Sequence, residues 1–104
     1  MTKITIFKKA GKISGYLIKG HSGYAEEGSD IVCSGISAVS QMALVGLTEV
    51  LKKDVDCVMK DGLLSVDIKG NLDDCQVLLN SMELSLKDIA KNYSAYVKFE
   101  IKGE

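Results

Sequence analysis

The strongest constraint on the fold is the stretch VDCVMKDGLLSVDIKG, residues 55–70, in which apolar and polar residues alternate on both sides of Asp61-Gly62. A period of two places successive side chains on opposite faces of a strand, and Asp-Gly is a favoured pair for a type I′ hairpin turn. The stretch therefore predicts a β-hairpin. Its apolar positions, which we expect to be buried, are Val55, Cys57, Met59, Leu64, Val66 and Ile68.

A second hairpin is predicted at the N-terminus. Ile4 and Ile6 alternate with Thr5 and Phe7, as in a half-buried strand. Residues 9–12, Lys-Ala-Gly-Lys, supply the turn, since a glycine there tolerates positive φ. The second strand runs over about residues 13–20.

Two amphipathic helices are predicted. The first covers about residues 30–52, with Ser29 or Asp30 as its N-terminal cap. Its apolar stripe is Val32, Ile36, Val39, Ala43, Leu47 and Val50, and its small residues Gly35, Ala38, Ala43 and Gly46 predict a close neighbour. The second begins at Asn71, with Asp74 completing a capping box. Its stripe is Cys75, Leu78, Leu79, Met82, Leu86, Ile89, Ala90 and Tyr93.

A last strand around residues 95–101 places Val97, Phe99 and Ile101 on one face. The element order is therefore ββαββαβ. We expect one α+β domain over residues 1–104, with two layers: a mostly antiparallel sheet and two helices. The pattern does not determine the order of the strands in the sheet.

Composition narrows the function classes. Thirteen lysines and no arginine stand against 14 acidic residues, a net charge of −1, whereas proteins that grip nucleic-acid phosphates usually carry a basic surplus. We expect no apolar run of the length that a membrane span needs, and no signal peptide precedes KITIF at the N-terminus. These features predict a cytoplasmic protein that binds neither nucleic acid nor membrane.

The cysteine pattern argues against a disulfide framework and a metal site. Three cysteines are an odd number and none forms a C-x-x-C pair. Structural zinc sites usually contain a close ligand pair, which His21, Cys33, Cys57 and Cys75 lack. We expect no metal and no other cofactor. Cys57 and Cys75 follow the apolar faces of their elements and are predicted to be buried structural residues.

Cys33 is the candidate nucleophile. It lies in the first turn of the predicted helix, about its third or fourth residue, where the N–H groups and the helix dipole favour a thiolate. Its row on the helix continues through Ser37 and Ser40, which is polar for a core face. The alternative is that Cys33 is a small buried hydrophobic residue.

His21, the single histidine, is the candidate general base. It follows the end of a predicted strand, and a histidine brought to a cysteine in the fold forms the minimal nucleophile–base pair. The alternative is an ordinary surface histidine. Asp30 either orients the imidazole or caps the helix, and its propensity favours the cap. Ser37 either reaches the same pocket or bonds back to a helix carbonyl.

Residues 22–29 are predicted to form a loop. Gly23 and Gly28 bracket it, and it has too few apolar residues to offset the entropy of ordering. One interpretation is a mobile gate, with Tyr24 packing on a substrate side chain and Glu26 and Glu27 attracting basic residues. The other is solvated loop charge.

Residues 20–37, GHSGYAEEGSDIVCSGIS, resemble the signature of the ribosomal-processing cysteine proteases, called Prp. In that family a Gly-His is followed by a glycine-rich loop and an Asp-Ile-Val-Cys that starts a helix. Chain length and element order agree as well. Ser22 stands where alanine is usual, and Ser34-Gly35 where two alanines are usual, but these residues are also small.

The resemblance implies a cysteine endopeptidase that removes a short N-terminal extension from a ribosomal protein precursor, a large-subunit protein of the L27 type, by cutting after an aromatic pair. It implies Cys33 as nucleophile, His21 as base, Asp30 and Ser37 as supporting residues, and residues 22–29 as a gate over the substrate. It also implies a homodimer. The alternative is a non-catalytic, ribosome-associated binding module of α+β fold, in which Cys33 would react like the other two thiols.

Overall fold

The computed structural model describes residues 1–20 and 29–104, with the side chains of Ser29 and Asp30 left out. The strands are β1 Thr2–Lys9, β2 Lys12–Lys19, β3 Val55–Lys60, β4 Leu63–Ile68 and β5 Val97–Gly103. The helices are α1 Ser29–Val45, continued by a π-helical turn Gly46–Val50, and α2 Gln76–Asn92, preceded by a 3-10 turn Asp73–Cys75. The predicted α+β fold with order ββαββαβ is confirmed.

The strands form one sheet in the order β3-β4-β2-β1-β5. β1 pairs antiparallel with β2, and β4 lies antiparallel between β2 and β3. β5 returns from α2 to lie parallel to β1. The first hairpin is therefore central, and the hairpin with the clearest sequence pattern provides an edge of the sheet.

The first hairpin turns where it was predicted to, at residues 9–12 with Gly11 at positive φ, whereas the turn type of the second hairpin differs from the prediction. Ala10 and Gly11 both have positive φ, 51° and 78°, as a type I′ turn requires. At the second turn only Gly62 has positive φ (73°), so the type I′ prediction for Asp61-Gly62 is wrong. A type I′ turn requires positive φ at both central residues, and Asp61 does not adopt it.

The core lies between the sheet and the two helices. α1 contributes Val32, Ile36, Ala43 and Leu47, and α2 contributes Leu79, Met82, Leu86 and Ala90. The predicted close approach is seen at Gly46, where a Cβ would lie 2.6 Å from Leu78 Cδ2. The predicted stripe of the second helix is confirmed except at its end, where Tyr93 is exposed because the helix has already ended at Asn92.

The end of the first helix departs from the predicted pattern. Leu51 N–H donates to Gly46 O at 2.8 Å, five residues back, so the last turn is a π turn. A wider turn rotates each residue less, and Val50 leaves the apolar stripe and is 73% exposed. The prediction that Val50 is buried is wrong.

The start of the second helix also differs. Asn71 Oδ1 accepts the N–H of Asp73 at 3.0 Å, so Asn71 does satisfy a backbone donor near the helix start. Asp74 instead forms an ion pair with Lys53, 2.9 Å between Oδ1 and Nζ. The predicted capping box is wrong because α2 is entered through a 3-10 turn, which moves its first residue to Gln76.

Edge strand β3 is more exposed than its alternation predicted. Cys57 pairs with Val66 and Met59 with Leu64, so these side chains face the same side of the sheet as the core of β4. Nevertheless Cys57 is exposed and Met59 is 53% exposed. The prediction of a buried Cys57 is wrong, because β3 extends beyond the cover of the helices. Cys75 is buried, as predicted.

The expectation about apolar runs also needs correction. Within the described chain, Ile31–Val50 is long and apolar enough to cross a membrane by length and composition. One face of this segment, however, carries Val32, Ile36, Ala43 and Leu47 into the core of the domain. Packing inside this fold therefore accounts for part of its apolar character, while Ile31, Met42, Val45 and Val50 stay exposed.

Candidate active site

The start of α1 positions Cys33. Because α1 begins at Ser29, one residue earlier than predicted, Cys33 is its fifth residue and lies at the end of the first turn. Cβ atoms on a helix tilt toward its N-terminus, so the thiol is directed back over the first turn, where the helix N–H groups lack partners within the helix. Cys33 is partly exposed.

A cavity of about 230 Å³ adjoins Cys33. Four parts of the fold form it: one face of α1, the start of β1, the end of β2, and the tip of the β3–β4 hairpin. Its lining residues are Thr2, Ile18, Gly20, Cys33, Ile36, Ser37, Ser40, Gln41 and Met59–Leu64. Pockets for whole drug-sized ligands measure about 300–1,000 Å³, so this volume suits one or two side chains of a longer chain.

The polar row of α1 faces this cavity. Ser37 is exposed and lies one helical turn after Cys33, and both residues line the cavity. Ser40 is buried and its hydroxyl donates back to Ile36 O at 2.7 Å. The carbonyl of Ser40 accepts the hydroxyl of Tyr16 at 2.9 Å. Burial raises the pKa of Tyr16, which therefore stays a neutral donor that ties α1 to the sheet.

Gly20, which follows β2 and precedes His21, is held in place by its backbone. Gly20 N–H donates to Gly62 O at 2.8 Å, which joins the strand end to the tip of the β3–β4 hairpin. Gly20 has φ +95°, and a Cβ there would lie 2.5 Å from Met1 O. Only glycine fits this position without displacing the chain.

Several predicted site residues lie outside the described residues. These are His21, Gly23, Tyr24, Glu26, Glu27, Gly28 and the side chain of Asp30. The separation of Cys33 from His21, the choice between cap and orienting residue for Asp30, and the gate over the substrate therefore stay predictions. Among residues 1–20 and 29–104, no group of three His, Cys, Asp or Glu could hold a metal ion.

Three residues of the site were missed by sequence reasoning. Gly20 gave no signal apart from preceding the histidine, and Tyr16 looked like any strand residue. Met59 was placed on the correct side of β3 by its alternation. Its exposure beside the cavity depends on which part of the sheet the helices cover, and a local sequence pattern does not show this.

Known proteins are similar to this chain in sequence and in fold. The family model of the cysteine protease Prp matches residues 1–98. The ribosomal processing cysteine protease Prp of Staphylococcus aureus is 32% identical over 96 residues, 88% of this chain and 90% of that protein.

Two solved structures of the S. aureus protease share the fold. The complex with a substrate peptide has a TM-score of 0.88 at 26% identity and covers 98% of this chain and 100% of that chain. The complex with a covalently linked product peptide has a TM-score of 0.86 at 27% identity, with the same coverage.

The fold, the cysteine at the start of α1 and the adjoining cavity define a small α+β cysteine protease. The chain belongs to the cysteine protease Prp family. The alternative of a non-catalytic binding module is set aside, because the family is one of proteases.

Proposed function

We propose that this protein removes the N-terminal extension of the large-subunit ribosomal protein L27, cutting after an aromatic pair, in the cytoplasm where that precursor is made. The observation that carries the proposal is the position of Cys33, which adjoins a cavity sized for substrate side chains. Support comes from the S. aureus relative, a ribosomal processing protease solved with a substrate peptide and with a covalently linked product peptide.

Acylation is the first half of the proposed mechanism. His21 takes the proton of Cys33, and the thiolate attacks the carbonyl carbon of the second aromatic residue, whose bond to the next nitrogen breaks. The N–H groups at the start of α1 stabilise the oxyanion, because the first four of a helix have no intrahelical partner. The protonated His21 then gives its proton to the leaving amine, and the product on the amino side stays bound to Cys33 as a thioester.

Deacylation completes the cycle. His21 takes a proton from water, the resulting hydroxide attacks the thioester, and the peptide leaves as a carboxylate while Cys33 is restored. Asp30 and Ser37 are proposed as supporting residues. Ser37 lies one turn after Cys33 on the wall of the same cavity, where its hydroxyl is available to the substrate or to the thiol.

The test is incubation of the purified protein with the extended L27 precursor, with the products identified by mass. We expect one cut by the wild type and none by Cys33→Ala or His21→Ala. Cys75→Ala is the matched control, since Cys75 is a buried thiol away from the cavity, and its removal should leave the rate of the folded protein unchanged. An uncut precursor with the wild type, or near-normal cutting by Cys33→Ala, would contradict the proposal.

The protein is also proposed to form a homodimer through an apolar cleft between α1 and α2. The cleft residues are Met42, Val45, Gly46, Val50, Leu51, Asp74, Val77, Leu78 and Ser81. Val77 and Val50 are 86% and 73% exposed, which is unusual for adjoining apolar residues. A mainly apolar surface is self-complementary, because it needs no opposite charges, and this favours a second copy across a two-fold axis.

Sedimentation equilibrium tests the dimer. We expect a dimer for the wild type and a monomer for Val77→Lys, which places a charge in the cleft. Val58→Lys is the matched control, because Val58 is also an exposed apolar residue but faces the side of the sheet away from the helices. A monomeric wild type, or a dimer unaffected by Val77→Lys, would contradict this interface.

A further inference from the structure

The helix-facing side of β3 carries two side chains that the helices leave exposed. They are Cys57 and Met59, which we call the β3 ledge. Their partners on β4, Val66 and Leu64, are 2% and 7% exposed, whereas Met59 is 53% exposed. The ledge thus continues the apolar face of the sheet into solvent.

The β3 ledge is continuous with the active site. Met59, Leu64 and Ile18 stand in one row across three paired strands, and all three line the cavity that adjoins Cys33. Ile18 and Leu64 are mostly covered by the fold, so Met59 forms the open end of an apolar floor.

The described lining of this floor does not select a charged ligand. Among the described residues that line the cavity, the charged ones are Lys60 and Asp61, side by side at the hairpin tip and of opposite sign. The α1 wall adds hydroxyl and amide groups from Ser37 and Gln41. A neutral apolar side chain, attached to a backbone that hydrogen-bonds to the wall, fits this lining.

We propose that the substrate peptide lies over the β3 ledge and inserts one apolar side chain between Met59, Leu64 and Ile18, so that Met59 is a specificity-determining residue. This inference rests on the proposed function, because it places the subsite beside Cys33. It adds that the exposed side of β3 is covered by the substrate during the reaction.

The first test compares adjacent residues of β3. Met59→Ser and Val58→Ser are matched, since the two side chains are 53% and 51% exposed but face opposite sides of the sheet. Cleavage is measured with a peptide that spans the cut site and with its single-alanine variants. Met59→Ser should lower kcat/KM for the parent peptide by about tenfold or more, and Val58→Ser by less than about twofold. Met59→Leu should restore most of the rate.

The alanine variants show which substrate side chain occupies the subsite. For one of them, Met59→Ser should cause almost no further loss, since the inserted side chain is already gone. Equal effects of Met59→Ser and Val58→Ser on a peptide that the wild type does cleave would overturn the subsite while leaving the proposed function intact. Failure of the wild type to cleave the peptide would instead overturn both.

The second test uses Cys57 as a native reporter. In the Cys33→Ala protein, a saturating uncleaved peptide should slow alkylation of Cys57 severalfold. The control is a Cys33→Ala, Cys57→Ser, Val58→Cys protein, whose reporter thiol lies on the opposite face and should react at an unchanged rate. Alkylation of Cys57 at one rate with and without bound peptide would show that the substrate does not cover the β3 ledge.

Discussion

The two faces of α1 serve different purposes. One face carries Val32, Ile36 and Leu47, which are buried against the sheet. The neighbouring row carries Cys33 and Ser37 on the wall of the cavity. Consecutive residues on a helix are about 100° apart, so Val32 and Cys33 face different environments. The comparison shows that one helix both holds the core together and presents the nucleophile, and changes on the two faces should have opposite signatures.

The largest expected difference is between Cys33→Ala and Leu47→Ala, since Leu47 is buried and does not line the cavity. Cys33→Ala should abolish cleavage and leave the free energy of unfolding within about 0.5 kcal/mol, as for a partly exposed residue. Leu47→Ala should cost about 2–5 kcal/mol, because it opens a cavity in the core. Urea denaturation and cleavage assays check both. A strongly destabilised Cys33→Ala protein would place Cys33 in the core and break the comparison.

The alkylation rates of the three thiols sharpen the comparison between the two faces of α1. Iodoacetamide should modify Cys33 first, and Cys57, which is exposed, more slowly. Burial raises the pKa of Cys75, so its thiolate is scarce in the folded protein, and its labelling should be slower than that of Cys57 by about 100-fold or more. Peptide mapping at pH 6.5 follows all three. Cys33 labelled no faster than Cys57 would count against activation by the helix start.

Tyr16 links β2 to α1 through its hydrogen bond to Ser40 O, and its raised pKa predicts that the stability of the protein depends on pH. Tyr16→Phe removes the hydrogen bond to Ser40 O and should cost about 0.5–1.5 kcal/mol at pH 7. Because burial raises the pKa of Tyr16, its stabilising effect is complete below the unfolded value of about 10 and is lost as pH rises through the folded value. Urea denaturation at pH 7 and pH 11 should show a wild-type advantage that shrinks at the higher pH. A constant advantage would contradict it.

Ser37→Ala should have the smallest effect. Ser37 is exposed, so the free energy of unfolding should change by less than about 0.5 kcal/mol. If Ser37 supports the reaction from the cavity wall, kcat/KM should fall severalfold without a change in stability. An unchanged kcat/KM would show that Ser37 does not support the reaction.

Local patterns predicted the elements well because each depends on short-range periodicity. The alternation of Ile4 and Ile6 and the helical stripe of Leu79, Met82 and Leu86 reported the buried faces directly. The polar row through Ser37 and Ser40 indicated that α1 has a second face apart from the core. Apart from the exposed Cys57 and Met59 of β3, the errors fall at element ends: Val50 at the π turn, Asp74 before α2, and Asp61 in the hairpin turn. At these positions one residue more or less in a turn decides where a side chain lies.

The sequence by itself determined the order of the elements, the stripe that buries each helix, and the position of Cys33 near a helix start. Tertiary structure alone decided the strand order, which makes β3 an edge, and therefore left Cys57 and Met59 exposed despite a pattern typical of burial. The reason is that periodicity reports which side of the sheet a residue faces. Whether that side is covered depends on which strands lie beneath the helices, and that is settled by the packing of the whole chain.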